Sequence, residues 1–313
     1  MRPDDHYHTP VLLKEVVEVL APKAGETMVD CTLGGGGHSE ALLEAGASVI
    51  GLDQDPDALA FAKERRLRRF ESRFHPARAN FSQLSTVLEG MGVARVDGML
   101  IDLGVSSWQL DTAERGFSFM REGPLDMRMN PEEGPTAADL VNTASAAELV
   151  HIFREYGEEP NARRIAAHLV SARMARPFQT TMQLALAIEE ASPRRSRVHP
   201  ATRVFQALRI AVNRELEVLQ SVLAQAPALL RPGGRLAIIS FHSLEDRIVK
   251  EFFKLHSMPE LDRPEWPAPR PNPEYIFDAL TRKPVIASAE EQQRNPRSRS
   301  AKLRAVIKIQ PKS

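Results

Sequence analysis

Four consecutive glycines, Gly34–Gly37, stand between two short apolar runs, and neither a helix nor a strand carries them without a heavy entropic penalty. They must form a loop, and their neighbours say which kind. The run before them, Thr27-Met28-Val29-Asp30, and the run after, Ala47-Ser48-Val49-Ile50-Gly51-Leu52-Asp53, both read as buried strands that end in an acid. Ser39–Ala45 between them reads as a short helix, so the unit is strand, glycine loop, helix, strand. Val96-Asp97-Gly98-Met99-Leu100-Ile101-Asp102-Leu103 repeats the pattern, again with the acid near its carboxyl end. Gly234–Phe241 is another strand, introduced by the turn signal Arg231-Pro232-Gly233-Gly234. Strands alternating with helices predict an α/β fold with a doubly wound parallel sheet, whose carboxyl edge faces one ligand crevice.

The interval between the strands at Asp102 and Gly234 is too long for a single crossover helix. Within it, Ser145-Ala146-Ala147-Glu148 and Thr180-Thr181-Met182-Gln183 are capping boxes that open helical apolar patterns. The sequence therefore predicts a sheet domain over 1–105, a helical insertion over 106–199, and a return to the sheet over 200–313. An amphipathic helix from about Thr202 to Leu230, broken near Pro227, carries the chain back. Residues 259–273 hold six prolines and read as a loop, and Ala301–Ile309 alternates like a closing strand. A chain of 313 residues accommodates two domains and a large core.

Charge bears on the partner. The 41 basic and 41 acidic side chains cancel, but not locally. Residues 1–150 carry 14 basic and 24 acidic groups; residues 151–215 carry 11 arginines, no lysine and 6 glutamates; residues 294–313 carry 7 basic groups and no acid. An acidic half suits a cationic ligand, whereas arginine-rich segments suit phosphate or are ordinary solvated surface. No apolar run reaches eighteen residues, and Met1-Arg2-Pro3-Asp4-Asp5-His6 lacks the apolar core of a signal peptide, so neither a spanning helix nor secretion is expected and the cytoplasm is the expected compartment. Cys31 is the one cysteine, which excludes an internal disulfide and a Cys-rich zinc site. The nine histidines show no paired metal spacing, and no metal is expected.

Asp30-Cys31-Thr32-Leu33-Gly34-Gly35-Gly36-Gly37-His38-Ser39 brings backbone close to a ligand at a helix start. Asp53, 23 residues beyond Asp30, is spaced to accept hydrogen bonds from both hydroxyls of a ribose. A phosphate loop needs Gly-Lys-Ser/Thr, and a dinucleotide loop starting at Gly34 needs glycine or alanine at position 39, where serine stands. An acid before the loop repels a pyrophosphate but favours the ammonium and sulfonium of S-adenosylmethionine, which ranks that cofactor ahead of NAD. At the next strand end, Asp102 is placed to accept an N–H from an amine under methylation, unless it merely caps the segment after it. Gln109 and Ser106-Ser107 are candidates to hold cofactor or base. Cys31 reads as a buried structural cysteine, which disfavours methylation of a pyrimidine carbon and leaves an amine or hydroxyl acceptor. Trp108, Phe117, Phe119 and Phe241 are candidates to stack on an extruded base, although each taken singly is more at home in a core. His242 and Ser243 follow the strand that begins at Gly234, at the ligand edge.

Several blocks closely resemble the RsmH (MraW) family of bacterial 16S rRNA cytosine-N4 methyltransferases: His8–Leu13, Asp30–Ser39, Asp53-Gln54-Asp55, Asp102–Ser107, Arg115–Phe119, Gly123–Met129, Tyr156–Glu159, His199–Arg209, Ile239–Arg247 and Asn295–Arg304. The resemblance covers nearly the whole chain. It implies a class I S-adenosylmethionine-dependent methyltransferase, a Rossmann-like doubly wound sheet with an inserted all-α domain for substrate recognition. The cofactor contacts it implies are Gly36, Gly37, His38, Asp53, Phe81, Asp102 and Gln109, with Asp102 also catalytic. The implied substrate is a decoding-region (P-site) cytidine of 16S rRNA, within the 30S subunit. The implied chemistry is direct methyl transfer to the exocyclic amine with no covalent enzyme intermediate. Trp108 departs from the proline common in relatives, and oligomeric state is open between monomer and homodimer. Rival readings are a methyltransferase for another nucleic-acid or small-molecule amine, an NAD-dependent oxidoreductase, and a ribosome-assembly factor without chemistry.

Overall fold

Alternation along each strand is what builds this molecule. The structure, a computed structural model, describes residues 10–192, 199–262 and 264–310; the first residues of the His8–Leu13 block and part of the arginine-rich block, 193–198, lie outside them. The chain forms two units, Met1–Gly104 with Glu217–Ser313, and Val105–Leu216.

In the first unit, five strands run parallel: β1 (Thr27–Asp30), β2 (Ser48–Asp53), β3 (Phe74–Arg78), β4 (Val96–Asp102) and β5 (Leu230–Ser240). Two-residue strands β6 (Glu260–Leu261) and β7 (Arg270–Pro271) pair with each other. Strands β8 (Phe277–Ala279) and β9 (Val285–Ile286) both pair with β10 (Lys302–Lys308), which runs antiparallel to β5. The order β3-β2-β1-β4-β5-β10-β8 reverses direction between β1 and β4, the place where an open α/β sheet leaves a crevice at its carboxyl edge. Met28, Leu100, Ala237 and Ile239 enter one apolar layer and Val29, Met99, Ile101, Leu236 and Ile238 the other, so side chains of period two bury both faces. Helices α1 (Leu13–Leu20), α2 (Gly37–Glu44), α3 (Pro56–Phe61) and α4 (Leu84–Gly90) belong to the first part of this unit.

The second unit is helical: α5 (Ser107–Asp111), α6 (Ala137–Thr143), α7 (Ala146–Glu155), α8 (Ala162–Ala175), α9 (Thr181–Ala191) and α10 (Ala201–Asn213). The capping boxes at Ser145 and Thr180 form, each side chain accepting from the backbone three residues on. From Glu217 the chain is back in the first unit, with the rest of α11 (Glu215–Leu229), α12 (Ser243–Ser257) and α13 (Ala289–Arg294). Among the described residues, no helix is long and apolar enough to cross a membrane.

Four expectations need correction. Strand β3 gives no apolar-run signal, because Phe74-His75-Pro76-Ala77-Arg78 has little apolar character; at the sheet edge the N–H that Pro76 lacks is not needed for a second partner. The predicted 202–230 helix is two helices broken at Arg214, whose φ of 50° ends α10, while Pro227 sits inside the end of α11. The insertion ends at Leu216 rather than 199, because Val204, Phe205 and Leu208 of α10 share a core with Phe153 and Leu169. Finally, residues 259–273 are not all loop. The β6–β7 pair forms, anchored by the Asn272 amide, which donates to the carbonyls of Leu255 (2.6 Å) and Met258 (2.8 Å).

Candidate active site

The carboxyl ends of β1, β2 and β4 deliver Asp30, Asp53 and Asp102 to one edge of the sheet of the first unit. The glycine loop leaves β1 there and enters α2. Gly36 has φ 75°, and a Cβ on it would come within 3.1 Å of Leu67 Cδ1; one on Gly37 would come within 3.0 Å of Pro10 Cγ. Glycine therefore lets the loop lie flat against Pro10 and Leu67.

Asp30 is buried and already engaged: Ser39 Oγ donates to Oδ2 at 2.7 Å and Thr32 N–H to Oδ1 at 3.2 Å. Burial nevertheless pushes its carboxyl up to about 6. Asp53 Oδ2 accepts from Gly34 N–H at 2.8 Å and Oδ1 from Asp55 N–H at 2.9 Å, which ties the loop to β2. Its carboxyl is likewise pushed up to about 6, by burial against the pull of those two bonds. Each oxygen has a second lone pair, the capacity a ribose diol requires.

Asp102 differs from both. Its backbone N–H donates to Thr32 Oγ1 at 2.7 Å, but its Oδ1 is buried with no hydrogen-bond partner among the described residues. Burial raises its carboxyl well above the usual range, and the charges of Asp30 and Glu245 raise it further. The capping alternative does not apply, since the helix that follows is capped by Ser106. His38, in the first turn of α2, donates from Nε2 to the Val11 carbonyl at 3.0 Å, and its Nδ1 lies 3.7 Å from Asp102 Oδ2. Burial pulls the imidazole down to about 4 despite the Val11 bond, so it is neutral at physiological pH. Cys31 is buried and its thiol pushed up, chiefly by burial and then by Asp30, so it is no nucleophile.

Phe81 follows β3 on the same edge. There the Ala79 N–H donates to the Asp53 carbonyl and the Asn80 amide to Gln54 Oε1, and the Phe81 ring is partly buried against the core. Gly36, Gly37, His38, Asp53, Phe81 and Asp102 thus share one unit. Gln109 belongs to the second, where its Oε1 accepts from the Ser106 N–H at 3.0 Å to close a capping box. Of the aromatic candidates, Phe117 is core, Phe119 packs against His199 and Phe205 at centroid distances of 4.7 and 4.9 Å, Phe241 is half-buried, and Trp108 is exposed.

Glu245 escaped notice in the sequence. It is buried in the first turn of α12, where Oε2 accepts from the backbone N–H groups of Phe241 (2.8 Å) and His242 (3.3 Å). His242-Ser243-Leu244-Glu245 carries the spacing of a capping box, a signal that was there to read. Val11 as the partner of His38 left no such signal.

The donor set fits a cationic nucleoside. Three carboxyls that burial raises, one of them with an oxygen that has no partner among the described residues, gain from a ligand that brings positive charge and hydrogen-bond donors.

Residues 5–309 match the MraW methylase family. The chain is 51% identical over 312 residues to the ribosomal RNA small subunit methyltransferase H of Trichlorobacter lovleyi, covering 98% of this chain and 99% of that one. It is 53% identical over 308 residues to the protein of the same name from Anaeromyxobacter dehalogenans (97% and 99% covered), and 51% over 306 residues to that from Thermomicrobium roseum (96% and 94%).

Proposed function

The chain belongs to the MraW methylase family and its cofactor is S-adenosyl-L-methionine, and from that premise we propose that it methylates the exocyclic N4 of a decoding-region cytidine in small-subunit ribosomal RNA. The observation that carries the reading is Asp102 Oδ1, a buried acceptor with no partner among the described residues, at the end of the strand beside the glycine loop. A carboxyl so placed suits an acceptor that brings an N–H.

When bound, the cofactor supplies an electrophilic methyl carbon on a positively charged sulfur. The backbone of Gly36, Gly37 and His38 would hold it, Asp53 would accept from its ribose, and Phe81 would meet its adenine. Gln109 is a cofactor contact by the family resemblance alone. Cytosine N4 is a poor nucleophile because its lone pair is conjugated into the ring. Asp102 Oδ1 accepts one N–H of that amine and draws the nitrogen toward a pyramidal, nucleophilic shape, holding it in line for transfer. The base must leave its stack to reach such a site, at a cost of a few kcal/mol unless the RNA already presents it unstacked. The compartment consistent with this substrate is the cytoplasm, and the substrate form is the 30S subunit.

Methyl transfer to small-subunit RNA, free and assembled, followed by nucleoside mass spectrometry, tests the reading. N4-methylcytidine is the expected product, formed faster on assembled subunits. Label appearing in another nucleoside, or in DNA alone, would favour a different amine substrate.

A further inference from the structure

His38 does more than shape the glycine loop. A carbonyl oxygen can only accept, so the 3.0 Å contact with Val11 requires the proton on His38 Nε2. In the neutral imidazole, Nδ1 then carries a bare lone pair, and that lone pair lies 3.7 Å from Asp102 Oδ2. Both side chains are largely withdrawn from water, at 6% and 12% exposure. Two lone pairs facing each other in a dry setting repel while Asp102 is ionised, and protonating the carboxyl relieves that repulsion. Asp102 Oδ2 thus faces a lone pair 3.7 Å away, and Oδ1 has no hydrogen-bond partner among the described residues.

We propose that His38 is a positioning residue for methyl transfer: fixed as its Nε2–H tautomer by the Val11 carbonyl, it turns the Nδ1 lone pair toward Asp102 Oδ2 and so strengthens the carboxylate as acceptor of the proton that the nitrogen gives up. This rests on the reading that Asp102 accepts the amine N–H. In the transfer, nitrogen forms its bond to the methyl carbon while the carbon–sulfur electron pair stays on sulfur, so nitrogen must shed one proton. Asp102 Oδ1 receives it, and with the carboxyl neutral its repulsion against the His38 Nδ1 lone pair is relieved. Asp102 must enter this step ionised, and a bound cation beside it would favour that form.

Two variants separate this role from simple packing. His38→Gln keeps a donor for the Val11 carbonyl and removes the nitrogen that faces Asp102; His38→Asn keeps a polar atom facing Asp102 and loses the Val11 bond. The Asp102 carboxyl is followed in the cofactor-free protein by carbon-13 NMR of labelled aspartate, assigned with Asp102→Asn. Single-turnover rates and calorimetric cofactor affinity are measured alongside. The expected result is that His38→Gln lowers the Asp102 titration midpoint by half a pH unit or more. It should also slow transfer at least tenfold, with cofactor affinity within threefold of wild type, and His38→Asn should restore part of the rate. An unmoved midpoint with an unchanged rate in His38→Gln would overturn the proposal while leaving Asp102 in place. A full single-turnover rate in Asp102→Asn would instead remove the reading on which it rests. Should His38→Gln fold poorly, the Asn variant alone decides: a wild-type Asp102 midpoint with at least a tenth of the wild-type rate supports positioning through Nδ1, and a lower rate with the midpoint unmoved counts against it.

Discussion

A buried carboxyl with one unpartnered oxygen lowers the stability of the fold that contains it. The sign for Asp102 follows from its raised pKa: the folded state disfavours the ionised form, so the penalty is present above the folded pKa and is relieved as pH falls through it. Asp102→Asn removes that charge and offers His38 Nδ1 an amide donor. Thermal unfolding should show the variant more stable by ~1 kcal/mol, about 2–4 °C for a unit of this size, while methyl transfer collapses. A fall in both would mean that Asp102 is mainly structural. Asp30 and Asp53, both raised to about 6, bear on the cofactor itself. A cation binds best to their ionised forms, so affinity should rise with pH up to about 6 and level off above it. Below that point it should fall roughly tenfold per pH unit for each carboxyl that must ionise, with protons released on binding. Calorimetry at pH 5, 6 and 7.5 in buffers of different ionisation heat reads both; a pH-independent affinity would remove electrostatics from cofactor selection.

At the scale of elements, the closing strand is held by charge as well as by its ladder. Lys302 Nζ and Arg304 Nε, on β10, donate to the two oxygens of Asp246 on α12 at 3.0 and 2.7 Å. Burial alone would raise the Asp246 carboxyl, but the bonds from Arg304 and Lys302 together outweigh it and hold it below the usual range. That contribution is present above the unfolded carboxylate pKa and is lost as pH falls through the lower folded value. Asp246→Ala should cost about 1–3 kcal/mol at neutral pH, toward the lower end because Lys302 is substantially exposed, and little in acid. Denaturant unfolding at pH 7 and pH 3 checks this; an equal cost at both would assign the effect to packing.

Over the whole molecule, the zero net charge conceals how differently the basic groups are employed. The tail is largely internal in its commitments: Arg294 pairs with Glu290, Lys302 and Arg304 with Asp246, and Lys308 donates to the carbonyls of Pro227 and Leu230. In the arginine-rich block, Arg209 pairs with Glu215 and Arg173 donates to the carbonyls of Val141 and Ala144, whereas Arg163 and Arg164 on α8 are exposed. Phosphate contacts in RNA binding should therefore draw on α8 more than on the tail. Filter binding to ribosomal RNA across a salt series should show Arg163→Ala/Arg164→Ala with a slope smaller by roughly 1.5. Lys302→Ala should leave the slope unchanged, and the opposite ranking would return the tail to the RNA surface.

What was readable in the linear chain was local: strands β1, β2, β4 and β10 announce themselves by apolar runs, the loop by its glycines, and helix starts at Ser145 and Thr180 by their capping boxes. Strand β3 was hidden because an edge position tolerates polar residues and proline, and the turn at Arg214 because only the surrounding core decides where a long helical pattern bends. The sequence by itself determined which acids end which strands, since strand period and terminal position are properties of neighbours along the chain. Only the tertiary structure decided their chemistry. A pKa depends on burial and on partners brought from elsewhere, here a Val11 carbonyl that fixes His38 and a Glu245 charge that presses on Asp102, and no spacing along the chain encodes either.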